Sequence, residues 1–262
     1  MKTSGPSGGI RVLSYNIHKG FNTGNAKFVL HHIKEAIQLI DADIVFLQEV
    51  LGQHSRHELK WKNWPLQPQF EFLADSLWPH FAYGKNAIYS SGHHGNVIMS
   101  KYPIIGWENL DISAFSLEKR GLLHGIIEVP KFKEPFHAIC VHLSLLERSR
   151  NEQIGKLCRR ISDHVPHGAP LLIAGDFNDW RQNVSVTLKN ELGVDECFIQ
   201  TRGNHAKTFP SWFPFLALDR IYFRGFDLSE AQCLTGRPWR DLSDHAALYA
   251  KVIRSRKKKS RP

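Results

Sequence analysis

The sequence predicts an α+β layered fold in one domain. Short apolar runs of the kind that form buried strands recur along the 262 residues, whereas few segments repeat apolar residues with the 3.6-residue period of an amphipathic helix. Strands that outnumber helices favour sheets packed in layers and covered by helices. No Gly/Ser-rich linker, composition break or fixed-period repeat divides the chain, so we expect a single domain.

The first elements should alternate between strand and helix. Residues 10–16 (IRVLSYN) are apolar enough to form a buried strand. Residues 26–40 place apolar side chains on one helical face, and residues 42–50 (ADIVFLQEV) predict a second buried strand. A short helix around residues 70–77 follows and should stop at Pro79, because proline cannot continue a helix.

The remainder of the chain predicts more strands and one longer helix. The strand-like runs are residues 94–100, 121–129, 136–144, 170–177, 219–223 and 245–252. Residues 154–165 keep the helical period and are followed by Pro166 and Gly168, two residue types that terminate helices.

The positive charge is concentrated at the C-terminus. The net charge is +9, and residues 251–262 (KVIRSRKKKSRP) hold seven basic residues and no acidic one. The rest of the chain is therefore close to neutral. Such a tail suits contact with nucleic acid or anionic lipid headgroups, but it also suits a solvated terminus.

The cysteines and the N-terminus indicate a reducing compartment. Cys140, Cys158, Cys197 and Cys233 show no C-x-x-C spacing, which argues against a disulfide scaffold and a zinc cluster. The N-terminal MKTSGPSGGI lacks the apolar segment of a secretory signal, and no apolar run approaches the ~20 residues that span a bilayer. We therefore expect a cytoplasmic protein, with peripheral membrane contact left open by the tail.

Polar residues recur where the apolar strands meet loops. The positions concerned are Asn16, Gln48, Glu49, His142, Asp176, Asn178, Asp219, Asp244 and His245. Each one alone is more typical of a turn, a cap or a structural histidine. If the strand ends converge on one edge of the sheets, however, these residues build an acidic, histidine-bearing pocket that can bind a metal or move a proton.

The order of these motifs resembles that of the endonuclease/exonuclease/phosphatase superfamily, the DNase I-like proteins, and in particular a short bacterial branch. The matching segments are SYNIH, LQEV, GNVIMSKYPI, KRGLL, VHLS, GDFND, LDRIYF and LSDHAAL. The resemblance covers residues 12–252. It implies a four-layer α/β/β/α sandwich, in which two packed mixed β-sheets are flanked by helices, and hydrolysis of phosphate esters with Mg²⁺, for which Mn²⁺ is a substitute.

The resemblance also implies roles for single residues. Glu49, with Asn16 and Asp244 beside it, would hold the metal through oxygen atoms, as a hard cation requires. Asp176 would orient or deprotonate the attacking water, and Asn178 would position a phosphate oxygen. The other implied catalytic residues are His142, which assists the leaving oxygen or binds phosphate, and His245, which is oriented by Asp219 and stabilises the pentacovalent centre.

Three further residues are candidate contacts to phosphate or substrate. Arg120 is a candidate clamp because a guanidinium meets two phosphate oxygens at once. Asn96 belongs to the GNVIMSKYPI motif. Trp212 lies in the aromatic segment of residues 208–221 (TFPSWFPFLALDRI), which could stack on bases, enter a lipid surface or pack in the core.

The function predicted from these motifs is a metal-dependent phosphoesterase, in the first place a phosphodiesterase or nuclease. The alternatives are a lipid-headgroup or small-molecule phosphoesterase at a membrane surface, and a non-catalytic protein that binds phosphorylated ligands. The domain organisation that follows is a flexible N-terminus (residues 1–9), a catalytic domain (residues 10–252) and a basic tail (residues 253–262).

His93 and His94 are either a second metal or phosphate site or solvated loop residues.

Overall fold

The computed structural model describes residues 9–115, 118–130 and 132–255. Its strands form two six-stranded sheets. The strands of the first sheet are β1 (Ile10–Asn16), β2 (Ile44–His54), β3 (His80–Tyr89), β4 (Gly92–Ser100), β11 (Phe226–Leu234) and β12 (Ala247–Arg254). Those of the second sheet are β5 (Ile104–Asp111), β6 (Gly121–Ile127), β7 (Phe136–His142), β8 (Leu171–Asp176), β9 (Asp195–Glu196) and β10 (Asp219–Arg224).

Both sheets are mixed. The first has the order β11-β12-β1-β2-β4-β3 and the second β5-β6-β7-β8-β10-β9. The pairs β1–β2 and β7–β8 are parallel, and the other neighbouring strands are antiparallel. Because β1 and β2 run in the same direction, as do β7 and β8, their carboxyl ends bring the polar residues of these strands to one edge of each sheet.

The helices are α1 (Leu30–Ile40), α2 (Ser55–Lys60), α3 (Gln69–Ala74), α4 (Glu147–His164), α5 (Val184–Leu192) and α6 (Cys197–Arg202). The outer face of the first sheet is covered by α1 and α3, and that of the second sheet by α4 and α5. One buried apolar cluster lies between the two sheets, a second joins the first sheet to α1 and α3, and a third joins the second sheet to α4 and α5. These clusters define four layers, so the predicted α/β/β/α sandwich is confirmed.

The predicted elements differ from the observed ones mainly at their ends. The helix expected from residue 26 begins at Leu30, because Phe28 instead pairs with Phe21 in an isolated bridge. Strand β12 continues to Arg254, which pairs with Phe226 of β11, so the domain extends two residues into the predicted tail. The predicted tail residues from Arg256 and the N-terminal residues up to Gly8 lie outside the described part of the chain.

The four cysteines are all free, as their spacing predicts. Within the described residues, no helix is long and apolar enough to cross a membrane.

Candidate active site

Polar side chains from both sheets meet around Asp176. In the second sheet, Asp176 at the end of β8 is in register with His142 on β7 and with Asp219 on β10. From the first sheet, Asn16 Nδ2 donates a hydrogen bond of 3.1 Å to Asp176 Oδ2. His142 Nε2 lies 3.5 Å and His245 Nε2 3.7 Å from the same oxygen. The strand ends thus place two histidines and an amide around one buried carboxylate.

The backbone around Asp176 has an uncommon conformation. Gly175 has φ +147°, and a Cβ at this position would lie 1.9 Å from the carbonyl oxygen of Val141 on the neighbouring strand, so only glycine fits. Asn178 is left-handed with φ 50°. Its backbone N–H donates to Asp176 Oδ1 over 3.0 Å, and its side-chain amide donates to the carbonyl oxygen of Leu143. The turn after β8 therefore fixes the second oxygen of the carboxylate.

A β-bulge presents Glu49 at the same edge. The register between β2 and β4 shifts between Leu47 and Val50, and Glu49 within the shift has φ 57°. A bulge redirects side chains, and a left-handed non-glycine residue costs on the order of 1 kcal/mol unless its surroundings hold it. The strained backbone at Glu49 therefore sets the direction of its side chain. The Oε2 atom of Glu49 is buried and accepts no hydrogen bond among the described residues.

Asp219 and His245 form a buried hydrogen-bonded pair. His245 Nδ1 lies 2.9 Å from Asp219 Oδ2, and both residues are buried. Burial alone would lower the pKa of His245, but the carboxylates of Asp219 and Asp176 raise it above its usual range. We therefore assign the ring as a cation at neutral pH, with both nitrogens as donors.

Burial also shifts the pKa values of Asp176 and His142. It raises the pKa of the Asp176 carboxyl above its usual range, although the charge of His245 opposes the shift. It also lowers the pKa of His142 well below its usual range, so this ring is neutral near pH 7. The pocket therefore combines a carboxylate with raised basicity, a cationic histidine and a neutral histidine, which are suited to proton transfer and to binding an anion.

The oxygen donors expected to hold the metal fit that purpose. Glu49 offers the buried Oε2, which accepts no hydrogen bond among the described residues and has only the Lys19 ammonium as an ion-pair partner. Asn16 Oδ1 accepts from the backbone N–H of His18 at 3.1 Å, and Asp244 is partly exposed. Carboxylate and amide oxygens are the ligand types that Mg²⁺ prefers. The donor chemistry at Glu49, Asn16 and Asp244 is therefore compatible with a divalent cation.

Two basic side chains border these donors. Lys19 Nζ lies 3.4 Å from Glu49 Oε2, and His18 Nδ1 lies 3.5 Å from Asp244 Oδ1. Burial alone would raise the pKa of Glu49, but neighbouring His142, Lys19 and His18 lower it to about 2. Glu49 is therefore ionised at neutral pH, with the Lys19 ammonium 3.4 Å from its Oε2.

A different trio also has metal-like spacing. Ligand atoms of Asp176, Asp219 and His245 lie within 4.8 Å of one another. A cationic imidazole has no free lone pair for a metal, however, and Asp219 already accepts a hydrogen bond from His245. The trio is better described as a hydrogen-bonded acid–base group.

The three candidate substrate contacts have different surroundings. Arg120 bonds Glu118 through Nε and Nη2, at 3.2 and 2.9 Å, and its charge contributes to the low pKa of His142. Asn96 is buried, and its Nδ2 donates to the carbonyl oxygens of Gly121 and Cys140. The Asn96 amide thus bridges the two sheets through its Nδ2, and its contact with substrate stays a prediction.

The aromatic segment lies beside the SDH motif. The Phe209 ring lies 5.1 Å from the His245 ring, centroid to centroid. Ser211 donates from its backbone N–H to the carbonyl oxygen of Asp244 at 2.7 Å. Trp212 and Phe213 are more than half exposed. The segment therefore places a solvent-facing aromatic edge next to the catalytic candidates.

Sequence reasoning missed some residues that shape the site. Lys19 pairs with Glu49, and Ser243 Oγ donates to the carbonyl oxygen of Asn16 at 2.7 Å, which ties the SDH loop to β1. Lys19 lies three residues after Asn16 in the sequence, so its proximity to the site was detectable. Its pairing with Glu49 was not, because it depends on the bulge in β2.

Comparison with known proteins supports the family and the fold. The profile of the Endonuclease/Exonuclease/phosphatase family matches residues 13–245. The uncharacterized protein YbhP of Escherichia coli (strain K12) is 47% identical over 242 residues, which are 92% of this chain and 95% of YbhP.

Solved structures share the fold at low sequence identity. An endonuclease/exonuclease/phosphatase from Bacteroides vulgatus aligns with a TM-score of 0.74 and 17% identity, covering 94% of this chain and 99% of that one. The mannosyl-6-phosphatase Bt3783 of Bacteroides thetaiotaomicron aligns with a TM-score of 0.70 and 16% identity, covering 93% and 99% of the two chains. With the family profile matching most of its length, this chain belongs to the Endonuclease/Exonuclease/phosphatase family.

Proposed function

We propose that the protein is a Mg²⁺-dependent hydrolase of phosphoester bonds, with a phosphodiester as its substrate. The observation that carries the proposal is the buried Asp176 carboxylate, whose Oδ2 accepts from Asn16 and lies within 3.7 Å of both His142 and His245. Hydrolysis of an anionic ester requires a base, a cation and hydrogen-bond donors around one point.

Asp176 acts as the general base. Its raised pKa makes the carboxylate a better proton acceptor near neutral pH. It takes a proton from a water molecule whose oxygen bonds to phosphorus as the ester P–O bond breaks, and the leaving oxygen takes its proton from a second, solvent water molecule. The hydrogen bonds from Asn16 and Asn178 hold the carboxylate in a fixed orientation for this step.

His245 and His142 stabilise the negative charge that builds up. The cationic His245 ring, oriented by Asp219 at 2.9 Å, donates to a phosphoryl oxygen. His142 is neutral and donates one hydrogen bond to the phosphate or to the leaving oxygen. Arg120, although paired with Glu118, adds positive charge behind His142.

Glu49, Asn16 and Asp244 are the residues that would hold the divalent ion. Mg²⁺ neutralises charge on the phosphoryl oxygens when it is bound, and Mn²⁺ substitutes because it accepts the same oxygen ligands. An ion held at Glu49 would compete with Lys19 for this carboxylate, since two cations repel each other.

A lipid or small-molecule phosphoester is the second candidate substrate. Leu145 and Leu146 follow His142 on the chain, Trp180 follows Asp179, and each is exposed, as is Trp212. The charge of Arg181, the residue after Trp180, is paired with a carboxylate. Exposed apolar side chains of this kind are typical of contact with an apolar ligand or lipid surface.

The basic tail starts away from the site. His245 precedes β12 and Arg254 ends it, so the two residues lie about 25 Å apart at the usual rise of a strand. Arg254 bonds Gly225 and Glu134 there. The described part of the tail therefore gives no support to a nuclease groove that leads from the tail to Glu49.

The test is turnover on a substrate panel with Mg²⁺. The panel contains bis-p-nitrophenyl phosphate, single- and double-stranded DNA, RNA and anionic phospholipid vesicles. Glu49→Ala should abolish whichever activity the wild type shows. Nucleic-acid hydrolysis would support the nuclease form of the proposal, and lipid hydrolysis the second candidate. Equal turnover by wild type and Glu49→Ala would contradict the proposed metal-dependent site.

A further inference from the structure

A cleft of about 390 Å³ lies next to Glu49, outside the catalytic residues. Lys19 forms part of its wall and contacts Glu49 at 3.4 Å, so the cleft adjoins the position proposed for the metal. His94, on β4, also lines the cleft, and the charge of Glu49 acts on it. A volume of this size is in the range of small-ligand sites.

The cleft is positively charged. Lys19 and Lys60 line it, together with His54, His57 and His94. None of the lining residues, all of which belong to the described part of the chain, is acidic. Burial lowers the pKa of His57 and of His94 to about 4, so at neutral pH the two lysines supply the charge and the histidines supply neutral donors. This combination favours an anion.

The protein holds Lys19 in this position at a conformational cost. Lys19 and the preceding His18 are both left-handed, with φ 59° and 45°. The buried Gln69 donates from Nε2 to the Lys19 carbonyl oxygen at 2.9 Å and accepts from the Leu51 N–H at 3.0 Å. This buried amide joins the loop after β1 to β2, so the strained loop is held by a specific contact.

The wall of the cleft also contains two buried polar atoms that lack a hydrogen-bond partner among the described residues. Trp61 Nε1 and His94 Nδ1 are buried and have no hydrogen-bond partner among the described residues. Buried donors normally find a partner. Lys60 lies 5.4 Å from the Trp61 ring centroid, so a lysine and an indole N–H stand close together in this wall.

We propose that this cleft binds a second phosphate group of the substrate, on the Glu49 side of the phosphoester that is cut. The inference rests on the proposed hydrolysis and specifies its substrate class: a molecule with one phosphate at the catalytic residues and another in the cleft. Phe21, Trp61 and Tyr89 line the remaining wall and accommodate the ring or chain that carries the second phosphate.

The binding test uses inorganic pyrophosphate in metal-free buffer, measured by isothermal titration calorimetry. Lys60→Ala removes an exposed cation that has no place in the catalytic group, and Lys62→Ala, an exposed lysine two residues later and outside the cleft, is the matched control. Loss of one charge-assisted contact should raise the dissociation constant about tenfold in Lys60→Ala and leave it unchanged in Lys62→Ala. Equal affinity of the two variants would overturn the proposal.

The kinetic test uses a thymidine dinucleotide with and without a 5′-phosphate. The wild type should prefer the phosphorylated form in kcat/KM, and Lys60→Ala should reduce that preference about tenfold relative to Lys62→Ala. An equal preference in the two variants would contradict the assignment. If neither dinucleotide is hydrolysed, the proposed diesterase activity on nucleotides fails, while the pyrophosphate titration still decides the cleft by itself.

Discussion

Replacing Asp219 with asparagine tests the charge pair at the centre of the site. Asp219 Oδ2 accepts the 2.9 Å hydrogen bond from His245 Nδ1, and the asparagine side chain would keep the shape of the aspartate while removing its charge. A charge-assisted hydrogen bond contributes about 1.5–3 kcal/mol. If the contribution is made in the transition state, kcat should fall between about 10-fold and 150-fold.

The pH dependence of this variant separates a catalytic role from a structural one. The carboxylates of Asp219 and Asp176 raise the pKa of His245 against the effect of burial, so the cationic ring persists to alkaline pH in the wild type. Asp219→Asn should lower that pKa and move the alkaline limb of the kcat/KM profile to lower pH. Asp163→Asn, an exposed position on α4, is the control.

The same shift has a consequence for stability. A histidine with a raised pKa in the folded state stabilises the fold fully below its unfolded pKa of about 6.5. That contribution is lost as the pH rises through the folded value. The free energy of unfolding of the wild type should therefore fall above neutral pH more steeply than that of Asp219→Asn. Wild-type turnover and an unchanged alkaline limb in the variant would refute the assigned role of Asp219.

Three further predictions concern the surroundings of the site. Lys19→Ala removes the cation 3.4 Å from Glu49 and should tighten Mg²⁺ binding several-fold by calorimetry; weaker binding would contradict the proposed competition. Gly175→Ala places a Cβ 1.9 Å from the Val141 carbonyl oxygen and should destabilise the fold by more than about 3 kcal/mol in urea denaturation, and a near-native midpoint would show that β7 and β8 can separate. Trp212→Ser removes an exposed aromatic side chain and should weaken binding to anionic vesicles if lipid is the substrate, with no change in circular dichroism; unchanged sedimentation with vesicles would argue against the lipid candidate.

The layered fold could be predicted because its central strands are buried on both faces. The strands β1, β2, β7 and β8 are almost wholly buried, and their continuous apolar runs predict them from the sequence. The strands β3, β5 and β11 were not predicted, since they lie at sheet edges and carry mixed polar and apolar residues. Helix α5 was not predicted either, although the apolar side chains that it buries, Val184, Leu188 and Leu192, are spaced four residues apart.

The candidate site could be located from the sequence because its residues stand at strand ends. Asp176, His142 and Asp219 share one sheet register, so their proximity follows from strand pairing. The orientation of Glu49 depends on a bulge and a left-handed backbone, which no periodicity predicts. The hydrogen bonds of Asn96 were not predictable for a related reason, because its two backbone partners come from distant strands.

The most direct test of the central claim is Mg²⁺-dependent hydrolysis of bis-p-nitrophenyl phosphate by wild type, Asp176→Asn and Asp163→Asn. Removal of a general base typically costs 10²–10⁴-fold in rate, by order of magnitude. We predict a loss of about this size in Asp176→Asn, with the fold retained, and wild-type turnover in Asp163→Asn. A folded Asp176→Asn protein that hydrolyses the diester at the wild-type rate would contradict the account.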